Sequence, residues 1–198
     1  MADKVETDFL SQVKAKSKGA LKWFKDLVKK TQRAAFPAST GRGDLRDQSI
    51  DVSTSLGRGS IGSMYFFRYQ AKWDDILPYW DRFPLIFPFA PAKGGFYGIN
   101  LHYLNPTART RLMQALIKAQ GISGNMYENF KLKLNYNIIT KFPPAKPCIK
   151  RYLNSYNQGG FFKIGGEDWA YAVGLPIQKW KVNNEEVFQK FMNNWKGL

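Results

Sequence analysis

Phe83-Pro84-Leu85-Ile86-Phe87-Pro88-Phe89, then Lys93-Gly94-Gly95, then Phe96-Tyr97-Gly98-Ile99-Asn100-Leu101-His102-Tyr103, then Asn105-Pro106: this stretch decides the fold class. Two runs of aromatic and branched residues, the kind that fit a pleated surface, flank a glycine turn, and a helix start follows. Strand, turn, strand and helix in that order predict an α+β chain. Pro84 and Pro88 lack the N–H that a fully paired strand needs, so the first run is expected at a sheet edge or bend. Gly98 inside the second run predicts a bulge or a close approach. Asn105 is a good N-cap, Pro106 suits the first helical position, and Gly121 can close the helix. Ala108, Leu112, Ala115, Leu116 and Ala119 form its apolar stripe, with Arg109, Arg111 and Lys118 off it.

Outward from there, Met64-Tyr65-Phe66-Phe67-Arg68-Tyr69 reads as a strand. Lys131 to Ile138 alternates polar and apolar, the period of a half-buried strand with a basic outer face, although a helix also fits. Phe142 to Pro147 is a stiff, proline-rich connection. Cys148 to Leu153 is a short helix or strand, Phe161 to Ile164 a strand, and Glu167 to Val173 one or two helical turns. Asn184 stands where it would cap a last helix carrying Val187, Phe188, Phe191 and Trp195. Short, aromatic, proline-broken strands predict a small antiparallel β-barrel or sandwich with peripheral helices over residues 63–198. Residues 34–62, with Gly41-Arg42-Gly43 and Gly57-Arg58-Gly59, read as an extended linker or arm. Residues 1–33 read as a basic amphipathic helix. Val5, Phe9, Val13, Ala20, Leu21, Phe24, Leu27 and Val28 make its stripe, lysines surround them, and Gly19 weakens the middle. Such a helix either docks on its own domain with the lysines in water, or presents them to nucleic acid, a membrane surface or a partner.

The 198 residues carry 30 Lys+Arg against 15 Asp+Glu, a net charge of +15. The excess is spread along the chain, which argues against a neutral domain with a basic tail. Phe9 to Gly43 contains one acid, Asp26, and Asn129 to Gly166 contains none. Locally unopposed cations are what phosphate neutralisation requires. In the second stretch Phe130, Tyr136, Phe142, Tyr152, Tyr156, Phe161 and Phe162 interleave with the cations, the combination that holds unpaired nucleic acid. Core packing is the competing role for those rings. No apolar run reaches the roughly 18 residues of a membrane span. Met1-Ala2-Asp3-Lys4 lacks the pattern of a signal peptide. The single cysteine, Cys148, makes no internal disulfide and fits a reducing compartment.

Catalysis needs a nucleophile, an acid–base pair or a metal. His102 is the only histidine and sits between apolar neighbours, so a packed or hydrogen-bonded role is expected. Cys148 is expected to be a buried thiol rather than half of a Cys–His pair. Asp74, Asp75 and Asp81 are more in keeping with turn caps and ion pairs than with a metal site. No phosphate-binding glycine loop is present. The inventory points to a non-enzyme with no cofactor and no bound metal.

Several motifs resemble a family of small virion proteins of T-even-like contractile-tailed bacteriophages. They are Met64-Tyr65-Phe66-Phe67, the run Leu77-Pro78-Tyr79-Trp80-Asp81-Arg82-Phe83-Pro84-Leu85-Ile86-Phe87-Pro88, and Gly94 through Leu104. Arg109-x-Arg111-Leu112-Met113-x-Ala115-Leu116, Cys148-Ile149-Lys150-Arg151-Tyr152-Leu153, Trp169 and Leu175-Pro176 continue the match. The resemblance covers about residues 63–180. It implies a DNA-end protector at the portal and neck, or else a tail or baseplate component. It also implies a virion location with host cytoplasm during assembly, and other virion proteins as partners in a symmetric, multi-copy assembly. On the DNA-end reading, the candidate contacts are Lys131, Lys133, Lys150, Arg151 and Lys163, assisted by Lys22, Lys29 and Lys30.

Overall fold

A computed structural model describes residues 2–35, 52–53, 62–119 and 143–175, with 183, 185–187 and 189 near the C-terminus. Strands β1 (Val52–Ser53), β2 (Met64–Phe66), β3 (Leu85–Ala92), β4 (Gly95–Asn100), β5 (Ile149–Leu153) and β6 (Phe161–Ile164) form one antiparallel sheet. Its order is β1-β6-β2-β3-β4-β5. The α+β class holds, and of the expected barrel or sandwich the closed barrel is corrected: among the described residues the sheet is open, with β1 and β5 at its edges. The segment after β2 also pairs with the segment after β5. Tyr69 bridges Asn157 there, Gln70 N–H donates to Tyr156 O (3.1 Å) and Gln158 N–H to Arg68 O (2.9 Å). The alternating run 131–138 lies outside the described residues, as does Gly121.

The proline-bearing strand is not at an edge. β3 lies between β2 and β4, and the prolines escape the cost in a specific way. β2 pairs with β3 only at Leu85 and Ile86, so Pro88 stands past the end of β2, where Pro88 O accepts Gly62 N–H at 3.0 Å. On the other side Pro88 faces Gly98, and the β3–β4 register slips between Pro88 and Ala90. The bulge expected at Gly98 is thus shared with the proline opposite. Nor does the second strand run to Tyr103. It ends at Asn100, whose side-chain oxygen accepts His102 N–H at 2.9 Å and opens a single 3₁₀ turn, Leu101–Tyr103.

Alternation divides the sheet into two apolar faces. Met64, Phe66, Leu85 and Phe87 belong to the core shared with the helices. Tyr65, Phe67, Ile86, Phe96, Tyr152 and Phe161 form a second cluster, nearly all rings. Helix α1 (Ala2–Ala35) buries Phe9, Val13, Ala20, Phe24 and Leu27 in the first core, and Phe24 meets Phe66 edge-on at 5.5 Å. Leu21, assigned to the stripe from spacing, is instead 46% exposed. Gly19 has a packing reason: a Cβ there would stand 3.3 Å from the Tyr171 ring on α3 (Trp169–Gly174).

Helix α2 (Pro106–Ala119) starts as expected, with Asn105 Oδ1 accepting Ala108 N–H at 2.8 Å. Its buried face is wider than the predicted stripe and includes Arg109, 0% exposed. The guanidinium donates to Leu104 O (3.1 Å), to Leu175 O (2.6 Å) and to Val173 O (3.4 Å). A cation thereby satisfies carbonyls at the C-terminal end of α3, which helical bonds leave open. Burial pushes its pKa down to about 9, so it stays charged at neutral pH.

Candidate nucleic-acid interface

The first basic feature is a ridge on α1. Lys14, Lys18, Lys22, Lys25 and Lys29 are all exposed. Steps of four, four, three and four place them in one line along the helix, away from the buried stripe. At 1.5 Å per residue the line runs for about 22 Å. Like charges at this spacing cost a few tenths of a kcal/mol per pair, so the ridge is a local expense that folding does not require. Lys16 leaves the line: its ammonium donates to Glu167 O and lies 4.8 Å from the Tyr171 ring centroid.

The second feature is a pocket of about 800 Å³ between β5 and the loop after β2. Its cations are Lys72, Lys93, Lys150 and Arg151, and its rings are Tyr69, Trp73, Tyr79, Trp80, Tyr103 and Tyr152. Asp81 is the single carboxylate in the lining. The loop is held at its base, where Tyr69 N–H donates to Arg82 O at 3.0 Å, and a turn forms where Leu77 N–H donates to Trp73 O at 2.9 Å. That turn leaves Trp73 55% exposed, with Lys72 Nζ 4.8 Å from its ring centroid. Lys93-Gly94 is the two-residue turn joining β3 to β4. Gly94 takes φ +73°, which suits glycine, and at Gly95 a Cβ would stand 1.8 Å from Tyr152 O. This close approach brings Lys93 to β5, where Arg151 donates to Lys93 O at 2.8 Å. Lys150 Nζ lies 4.0 Å from the Tyr103 ring centroid.

Beneath the pocket a polar network fixes the wall. Asp81 accepts from Phe83 N–H (3.0 Å), from Asn100 Nδ2 (3.0 Å) and from His102 Nδ1 (2.8 Å). Asn100 Nδ2 also reaches Tyr152 Oη at 2.8 Å. Burial lowers the His102 pKa, which favours the neutral imidazole, with its Nδ1–H donating to Asp81. Burial raises the pKa of Tyr69, Tyr103 and Tyr152, so the tyrosines add no negative charge. Asp81, His102 and Asn100 therefore position Tyr152. Cys148 is buried and its thiol is pushed up to about 12, so it carries no thiolate. Among the described residues no three metal-ligating side chains come together.

Of the sequence-predicted contacts, Lys150 and Arg151 come together at the pocket, and Lys22 and Lys29 on the ridge. Lys163 is half-buried on β6 opposite Tyr65, away from both. Lys30 continues α1 with its side chain outside the description, and Lys131 and Lys133 lie outside the described residues. Sequence reasoning missed Lys72, Trp73, Trp80 and Lys93. The exposed tryptophan beside a lysine was the available signal, hidden by Asp74 and Asp75, which made the segment look acidic.

No helix of the described residues is long and apolar enough to cross a membrane. A family model described as phage T4 terminal DNA protecting protein matches residues 2–194, which takes in α1 and the stretch after it as well as the region of the motifs. No curated protein and no solved structure matches the chain.

Proposed function

We propose, from the premise that this chain belongs to the phage T4 terminal DNA protecting protein family, that it grips the end of packaged DNA without regard to sequence and stays there. The family is DNA-protecting rather than enzymatic, and its members are phage proteins. The observation that carries the proposal is the lysine ridge of α1. Five exposed cations in a line meet phosphate oxygens through charge alone, and phosphate contact carries no base preference. Protection of an end of any sequence calls for that kind of grip. Bound at one duplex end, the protein works as a physical cap and needs no bond-making residue.

The position we infer is the portal and neck, on the packaged DNA end, with neighbouring virion subunits as partners in several copies. Assembly takes place in host cytoplasm. The test is a map of the intact particle. Density for this chain at the portal vertex, with α1 against DNA, is the expected result. Density in the tail tube or baseplate, remote from DNA, would overturn the placement.

A further inference from the structure

We infer that the pocket between β5 and the loop after β2 receives an unpaired terminal nucleotide of the DNA. The inference rests on the DNA-end reading above and adds a ligand to it. Three observations carry it. The first is size: about 800 Å³ falls among cavities that take a small organic molecule, room enough for a single nucleotide. The second is the lining. Four cations line the cavity for a phosphate, and of its six rings Trp73, Tyr79 and Trp80 keep exposed surface for a base, every one of which has a face that stacks on a ring. The third is Trp73, a large ring left 55% exposed at the wall, beside Ile76 at 72% and Leu77 at 36%. An apolar group of that size in water is a group awaiting a partner.

The division of labour follows. The ridge takes the duplex phosphates and the pocket takes the frayed or overhanging base. The Asp81 carboxylate faces three donors in the wall. Lys93, Lys150 and Arg151 line the pocket where they offset it. Stacking tolerates any base, so the pocket preserves indifference to sequence while distinguishing an end from continuous duplex.

The experiment uses the full chain and one fluorescent duplex closed at one end by a hairpin. The other end is blunt, carries one to three unpaired nucleotides on either strand, or is also closed. Unpaired nucleotides are expected to tighten binding by roughly five- to a hundredfold per stacked base. Trp73→Ala is expected to remove that gain and leave affinity for the doubly closed duplex unchanged. Lys14, Lys18, Lys22, Lys25 and Lys29 changed together to Gln lower all affinities alike. Equal binding of blunt and overhanging ends by the unaltered protein would overturn the inference while leaving the DNA reading standing. So would a Trp73→Ala loss that is equal on every substrate, or a free mononucleotide that competes as well as an overhang at equal concentration. Absence of binding to every form, closed and open, would overturn the DNA reading itself, and the inference with it.

Discussion

Changing the five ridge lysines, Lys14, Lys18, Lys22, Lys25 and Lys29, to Gln should reduce duplex affinity in a way that salt reveals. Each phosphate neutralised contributes about 0.9 to the slope of log affinity against log salt. A line of about 22 Å passes six or so phosphates of one strand, so phosphates are not limiting. A straight helix against a curving backbone keeps between two and five contacts. The slope should therefore become shallower by about 2 to 4.5. Between 50 and 200 mM salt, full contact amounts to between two and three decades of affinity that the variant no longer loses. Gln keeps helix propensity close to that of Lys and removes like-charge neighbours, so thermal stability should not fall. The assay is fluorescence anisotropy of a short duplex over a salt series, with the melting temperature as control. A slope changed by less than about 1, with the fold intact, would refute the assignment of the ridge to phosphate.

Three further outcomes test the fold that holds these surfaces. Arg109→Met leaves carbonyls of Leu104 and Leu175 without their buried donor, at about 1–3 kcal/mol each. A urea midpoint showing a loss of less than about 1 kcal/mol would contradict the capping role. Because the His102 pKa is lowered in the fold, the unfolded chain takes up a proton near pH 6.5 that the folded chain refuses. This contribution is fully present above pH 6.5 and declines as pH falls below it, by up to about 1.4 kcal/mol per unit. His102→Gln should flatten the stability profile between pH 5 and 6.5, and an unchanged slope would be the contrary result. Finally, residues 63–198 expressed alone lose Phe9, Val13, Phe24 and Leu27 from their core, at about 2 kcal/mol each. About 8 kcal/mol is comparable with the whole stability of a small domain, so circular dichroism should show no cooperative melt.

Local signals that act over a few residues were legible in the sequence. Asn105 as N-cap, the Lys93-Gly94 turn, the short strand at 161–164, and the stripe at Phe9, Val13, Ala20, Phe24 and Leu27 all depend on neighbours in the chain, whereas 148–153 is open between helix and strand in the sequence. Long-range relations were not. Nothing near Pro88 tells that β2 stops before reaching it, so the strand looked like an edge. Nothing near Arg109 tells that the carbonyls of Val173 and Leu175 arrive beside it, so a charged residue was placed off the buried face. The open sheet could not be told from a barrel, because strand length and composition are the same in both. At the candidate site, Lys150 and Arg151 were visible because acids are absent around them. Lys72 and Trp73 were not, because Asp74 and Asp75 follow them directly and give the segment an acidic look.

The most direct test of the end-capping account is resistance of DNA to digestion from its ends. Linear duplex is incubated with the purified chain, then with an end-dependent exonuclease and, separately, with an endonuclease that needs no end. The account predicts slowed loss of termini, unaffected internal cutting, and loss of the effect when the ridge lysines are Gln and Trp73 is Ala. Termini digested at the same rate with and without the protein, under salt where it binds duplex, would contradict it.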